Sequence, residues 1–482
     1  MTDAEYQAWL VRDGYRVALI EVDTDIPRYL STVAYTTLPT DTPANRMHLP
    51  CVAGGFAFSE RLSLDGNPAI SAGDIELSNE DGALDAWLSE VWVNRAIRVY
   101  IGDVSWSRAD FRLEFSGVVA DLTSSAAGRL NIVLRNKLER LNTPVVEAVL
   151  GGTTTNKDRL LPVLLGECHN VEPLLVDPAN HEYQVHSGPM ERVIEVRDNG
   201  VPLSNTTAAL STGKFRLGGT PAGTITVSAQ GRTPYQNTAG NLVRTLATAY
   251  GTPSERLTPA DLDTVSLDAF NVLNQQVLGM SLPDRANVLQ CCQQIAASVG
   301  AQVVMSRQGL LRLVKVALPG VGAPVAIGPS DYEAGSLSIK QRIDVVAGVK
   351  LGYCRAWSVQ ANLDTGIPPA HKDLFAQEWL TVTARDTAVA AAYRLYAEPA
   401  QVDTLLLRAA DAQAEADRRL ALWKVSRTVY SLRGYAHLLT LELGQPVTLT
   451  APRWGLDAGR QGIVIAVQRD WIAGRCVVEV LI

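Results

Sequence analysis

The chain has 482 residues, 47% of them apolar and 19% charged, with 43 lysines and arginines against 50 aspartates and glutamates and a formal charge of −7. This is the composition of a folded globular protein, of three to five domains at about 100–200 residues each, and it excludes a disordered or low-complexity chain. No run of Lys and Arg concentrates the positive charge that phosphate binding needs, which argues against sequence-specific DNA or RNA recognition, though not against DNA passing nearby.

The start, Met1-Thr2-Asp3-Ala4-Glu5-Tyr6, lacks a basic stretch followed by an apolar one, so no signal peptide is expected there. No window of about 18 apolar residues follows anywhere, so no membrane-spanning helix is expected. A short helix is expected over Asp3–Val11, and Tyr15 to Val22 opens a β-rich region. Its further strands are Gly55–Phe58, Asp74–Ser78, Ile97–Ile101 and Phe111–Phe115, several of which alternate apolar and polar residues as half-buried strands do. Turn signals at Asp65-Gly66, Asp81-Gly82 and Gly102-Asp103 punctuate them, and the region 1–150 reads as a barrel or sandwich.

Residues 151–235 read as a separate small β module, a compact surface insertion. Val193–Arg197 and Val201–Leu203 flank Asp198-Asn199-Gly200, whose Asn-Gly pair suits a tight hairpin turn. A second hairpin is expected between Lys214–Leu217 and Thr224–Val227, turning through Gly223. Residues 236–320 shift toward an α+β unit. Asn241–Tyr250 carries Leu242, Leu246 and Ala249 on one face before Gly251, and Thr258-Pro259 resembles a helix start. Asp284 is expected to cap a helix over 285–299 with Val288, Cys292, Ile295, Ala296 and Val299 inward; a hairpin follows through Gln308-Gly309.

The last section, 321–482, returns to β with one marked helix at 409–424. There Ala409, Ala412, Ala416, Leu420 and Trp423 share a face, while Asp411, Glu415, Asp417, Arg418 and Arg419 are expected to face water. Strands Pro446–Thr450, Gly462–Val467 and Cys476–Ile482 close the chain, with a turn near Asp457–Gly459.

Three stretches taken together carry a family resemblance: Gly73-Asp74-Ile75-Glu76-Leu77-Ser78-Asn79-Glu80-Asp81-Gly82-Ala83-Leu84-Asp85-Ala86-Trp87-Leu88, the module around Val196–Leu203 and Gly213–Val227, and Leu443-Gly444-Gln445-Pro446-Val447-Thr448-Leu449 with Gly462-Ile463-Val464. In this order the combination resembles baseplate hub, or tail-tip hub, proteins of long-tailed, siphovirus-like bacteriophages and related prophages, over most of the chain. The resemblance marks Asn79, Asp81, Gly82, Trp87, Asp198, Asn199 and Gly200 as fold-signature turn residues and matches no catalytic, metal or cofactor position. It implies a mainly β fold with α+β modules: two tube-like antiparallel β-barrel domains, at 1–150 and 321–482, plus two smaller inserted modules. It further implies a homotrimer in which three copies supply six barrels to a closed pseudo-sixfold ring around the DNA passage. The implied partners are the distal tail protein, the tape measure protein and tip fibre proteins, and the implied location is the virion's tail tip after synthesis in the host cytoplasm. Between the two halves of the chain no sequence repeat is visible. A trimer would carry three times −7, or −21 formal charges, and a carboxylate-biased channel would let phosphates slide past.

Enzyme chemistry finds little support. No GxSxG elbow, HExxH, Walker-type loop or dinucleotide glycine pattern is present. In Gly166-Glu167-Cys168-His169-Asn170, neighbours on an extended segment point apart, which disfavours a Cys/His dyad and with it a tail-associated cell-wall hydrolase. His181 and His186 lie five apart in a β-rich segment, a poor start for chelation. Cys51, Cys168, Cys291, Cys292, Cys354 and Cys476 are dispersed without a CxxC and read as free, mostly buried thiols rather than disulfides or an iron–sulfur site. In Cys291-Cys292, the helical rotation of about 100° leaves room for at most one inward thiol. The other class to weigh is a receptor- or glycan-binding tail protein, for which Trp454 and Trp471, near turns, are the expected exposed aromatics among nine tryptophans.

Overall fold

Alternation of apolar and polar residues along the N-terminal region resolves into strands with one buried and one wetter side, such as Ala96–Gly102 and Arg129–Asn136. The computed structural model describes residues 1–12, 14–53, 56–64, 72–360, 363 and 365–482; Gly55 and the Asp65-Gly66 turn signal lie outside them. It resolves into two units. The first comprises Met1–Arg140, Val304–Asp344 and Ser426–Ile482, the second Leu141–Val303 and Val345–Val425. The fold is mainly antiparallel β with α+β modules.

The first unit is organised on one 13-stranded sheet. Its hydrogen-bonded path runs Arg28–Ser31, Val17–Val22, Ala96–Gly102, Arg112–Ala126, Arg129–Asn136, Ala72–Ser78, Ala57–Arg61, Arg460–Asp470, Arg475–Leu481, Arg427–Tyr435, Ser338–Ile343. Pro446–Leu449 also pairs with Arg460–Asp470, and Val325–Ile327 lies parallel to it. Strands from both segments expected as barrel-like domains, 1–150 and 321–482, therefore share a single sheet. They share a core as well: Phe56, Phe58, Ile75, Phe115 and Ile132 belong to one cluster with Val467, Trp471, Val478 and Val480. Helix α1 (Asp3–Leu10) starts with a capping box in which Thr2 Oγ1 accepts from Glu5 N at 3.3 Å and Glu5 accepts from Thr2 N, and it buries Tyr6 and Leu10.

In the second unit two sheets face each other. Val201–Pro202, Met190–Asp198, Ile225–Arg232, Val163–Val171 and Gly279–Leu282 form one, and Leu174–Asp177, Glu182–Gln184, Lys214–Leu217 and Thr206–Ala209 the other. Their apolar faces meet in a cluster that includes Leu164, Cys168, Tyr183, Val196, Phe215 and Val227. Helices α2 (Ala239–Ala249), α3 (Thr264–Leu273) and α4 (Val288–Ser298) follow, with α2 packed on both others. A three-stranded sheet, Leu380–Arg385, Gly348–Tyr353 and Gln401–Asp403, comes with α5 (Pro369–Ala376), α6 (Thr387–Tyr393) and α7 (Ala409–Trp423). Leu351 and Ala384 of that sheet pack on Ala416 and Leu420 of α7.

Several expectations are corrected. Lys214–Leu217 and Ile225–Arg232 do not form a hairpin; each joins a different sheet, because the link through Gly223 crosses the sandwich. Asn287, not Asp284, caps α4, accepting from Gln290 N at 3.2 Å. Both Cys291 and Cys292 are buried, since α4 buries a wide arc that also takes in Val288, Leu289 and Ile295. Among the described residues the last section holds three α-helices rather than the one expected. On α7, Glu415 is buried rather than solvated, held by Arg418 and Arg419 at 2.7 Å each. Trp454 is exposed as expected, but Trp471 is buried in the shared core.

Candidate functional site

The signature turns build local structure. After strand Ala72–Ser78, buried Asn79 accepts from Leu84 N at 2.8 Å and donates to Asp85 Oδ1 at 2.7 Å, while Asp81 Oδ1 receives Ala83 N at 3.1 Å. Gly82 sits at φ +69°, where a Cβ would be strained, and its N–H donates to Asn79 O. Trp87 is buried beside Trp92 at 5.5 Å, with the Arg28 guanidinium 4.8 Å from its ring and Trp92 Nε1 donating to its carbonyl. In the second unit, Asn199 and Gly200 take φ +46° and +85° between Asp198 and Val201, the two-residue turn the Asn-Gly pair favours. Asn199 Oδ1 accepts from Thr224 N and Asp198 Oδ2 from Ala222 N, tying the neighbouring turn to this hairpin.

Sequence patterns did not single out the charges that close the large sheet. Ala57–Arg61 pairs antiparallel with Arg460–Asp470, Glu60 lying opposite Val467 and Phe58 opposite Arg469. Glu60 and Arg469 are buried, 2% and 1% exposed, and meet at 2.6 Å. Arg469 also donates to Leu439 O and Leu441 O at 2.8 and 2.5 Å. Burial pushes the Glu60 carboxyl up from its ordinary range, and Arg469 beside it pulls the other way. A second buried set lies in the same unit, where Arg307 pairs with buried Glu114 and reaches Glu442 at 2.9 Å. The one sequence signal was a charge inside an apolar strand, Arg469 in Val464-Ile465-Ala466-Val467-Gln468-Arg469.

The chemically suggestive clusters come apart. On strand Val163–Val171, Cys168 is wholly buried and its thiol is held well above its usual range by burial, whereas His169 pairs with Glu167 at 3.2 Å. Period-two geometry puts Glu167 and His169 on one face and Cys168 on the other, so thiol and imidazole do not converge. The His169 bond holds the Glu167 carboxyl below its usual range. His186 is buried and its Nδ1 accepts from Leu164 N at 3.0 Å, while His181 takes φ +47° in a turn. Cys51, Cys168, Cys291, Cys292, Cys354 and Cys476 are free thiols, and among the described residues no group of three metal-ligating side chains converges. No helix among the described residues is long and apolar enough to cross a membrane.

One cleft in the second unit has a polar lining. It measures about 500 Å³ and is flanked by Asn156, Arg159, Glu172, Tyr183, Asp284 and half-buried Trp357. The Arg355 guanidinium lies 4.1 Å from the Trp357 ring and bonds Glu378 at 2.8 Å. These groups could grip a polar ring compound by stacking and hydrogen bonds, but they hold no nucleophile with an adjacent base.

No family model and no curated protein matches the chain. Among solved structures, the chain is similar to the 43 kDa tail protein of prophage MuSo2 from Shewanella oneidensis, at 9% identity and TM-score 0.42, over 97% of this chain and 98% of that one. It is similar to the tail protein from Neisseria meningitidis MC58 at 9% identity and TM-score 0.42, over 96% of each chain. A chain of the native gene transfer agent virion aligns at 13% identity and TM-score 0.46, over 72% of this chain and 91% of that one. Likenesses with identities and TM-scores this low assign no role to the chain.

Proposed function

We propose that this chain is a non-catalytic structural subunit of a phage tail, a baseplate hub that trimerises into a pseudo-sixfold ring joining the tail tube to tip proteins around the DNA passage. The observation that carries this reading is the continuous sheet of the first unit, in which an N-terminal and a C-terminal set of strands meet along Ala57–Arg61 and Arg460–Asp470. The resemblance implies two β regions per copy, in the segments 1–150 and 321–482, here joined edge to edge, and three copies would offer six, as a threefold-to-sixfold adaptor needs. The sequence resemblance supplies the partners: the distal tail protein, the tape measure protein and tip fibres. Genomic DNA would pass without specific contact through a bore biased toward carboxylates, consistent with the net charge of −7 per copy.

Mass photometry and negative-stain imaging test this directly, with and without purified tail tubes. The expected outcome is a particle three times the 52.0 kDa chain mass, seen as a ring. A particle that stays monomeric even on tubes, or a ring with a bore lined by Lys and Arg, overturns it. The cleft around Trp357 supports a second reading, a receptor- or glycan-binding tail protein; saturable glycan-array binding that is lost in Trp357→Ala, without a ring, would favour it.

A further inference from the structure

The sandwich of the second unit is open along one side. Thr206–Ala209 ends the four-stranded sheet and pairs only with Lys214–Leu217. Gly218 N donates to Asn205 O at 2.8 Å. The alternation of antiparallel ladders then makes Thr207 with Arg216, and Ala209 with Lys214, the mutually bonded couples. It follows that Thr206 and Ala208 turn their N–H and C=O away from the sheet.

Though only four residues long, this edge carries none of the usual chemical blocks. Thr206-Thr207-Ala208-Ala209 has no charge, no proline and, in its register, no bulge. The contrast within the chain is informative, because the end strand Ser338–Ile343 of the large sheet carries Lys340 and Arg342. Beside the open edge runs a groove of about 460 Å³ lined by Val193, Ile194, Leu203, Thr206, Ala208 and Phe215. Ile194 and Val201 stand 36% and 40% exposed there and on the adjoining turn, apolar surface that a closed sandwich would cover. On the opposite lip, Met190–Asp198 is paired by Val201–Pro202 at Arg197 and Asp198 and by Leu203 N, which donates to Val196 O at 2.9 Å, and its remaining stretch is interrupted by a register shift between Val193 and Glu195. Glu195 is neutralised by Arg197 at 2.5 Å, so the mouth carries no net charge.

We propose that this groove is a strand-acceptor site for an extended, uncharged segment of a partner protein, which pairs with Thr206–Ala209 and sends alternate apolar side chains into the opening of the sandwich. Thr206 is half-buried and Ala208 exposed, so their outward N–H and C=O groups are open to pairing, and another strand is what satisfies such a row together. The absence of charge at the mouth selects against a basic or acidic segment. The inference does not depend on the hub reading.

The test is fluorescence anisotropy of the full chain against an array of seven-residue peptides that alternate Thr with Val, Ile, Leu or Phe. Saturable binding by at least one of them is expected. N-methylation of a central amide in the bound peptide should weaken it about fivefold or more, one backbone hydrogen bond being worth on the order of 1 kcal/mol. Ala208→Pro should weaken it similarly, because proline removes an outward N–H and leaves the ladder to Lys214–Leu217 intact. No binder in the array overturns the proposal, as does a binder indifferent to both N-methylation and Ala208→Pro. If Ala208→Pro instead changes the oligomeric state while no peptide binds, the edge joins copies of this chain and the partner assignment fails.

Discussion

Arg469 shows how much a single buried charge can determine. It is 1% exposed, faces Glu60 at 2.6 Å and satisfies two carbonyls at Leu439 and Leu441. Removing one member of such a pair leaves the other charged and dry, so Arg469→Met is expected to lower stability by about 3–5 kcal/mol, whereas Glu60→Leu with Arg469→Met together should cost less than either single change. Urea unfolding of the two singles and the double closes that cycle. His186 gives a pH dependence. Burial lowers its pKa from 6.5 to about 4, and its Nδ1 must stay unprotonated to accept from Leu164 N. A depressed folded pKa means stability is present above pH 6.5 and is lost as pH falls toward 4. The loss amounts to at most about 3 kcal/mol. A melting temperature that falls between pH 7 and pH 4 in the native chain, and falls less in His186→Gln, is the expected result.

At the scale of elements, the hairpin turn Asn199-Gly200 was legible from two letters, because only residues tolerant of positive φ close a two-residue loop. A Cβ on Gly200 would stand 2.6 Å from Ile367 Cδ1 and 2.7 Å from Leu363 Cδ2, in addition to the strain at φ +85°. Gly200→Val should therefore destabilise by about 1–3 kcal/mol, read as a lower denaturant midpoint at unchanged slope. Helix α7 was equally legible from its apolar spacing, but the burial of Glu415 was not, since its arginine partners lie at i+3 and i+4 and turn an expected wet position into a dry ion cluster. α6 escaped detection because none of its residues is buried and no periodicity marks it.

For the whole molecule the decisive fact is the shared sheet. Because strands of 1–140 and 426–482 lie in one hydrogen-bonded path and one core cluster, residues 1–150 expressed alone should fail to fold, and co-expression with 304–482 should restore a soluble complex; size-exclusion chromatography with far-UV circular dichroism distinguishes the outcomes. By itself the sequence determined the β-rich class, most strand and helix positions and the tight turns, because each depends on periodicity or on backbone freedom within a few residues. Only the tertiary structure decided that Ala57–Arg61 lies against Arg460–Asp470, that Lys214–Leu217 and Ile225–Arg232 belong to different sheets, and that Trp471, Glu60 and Arg469 are buried. Those outcomes depend on contacts between residues from tens to hundreds of positions apart, and strand pairing at such separation is selected by side-chain fit across the assembled sheet, which no local pattern encodes.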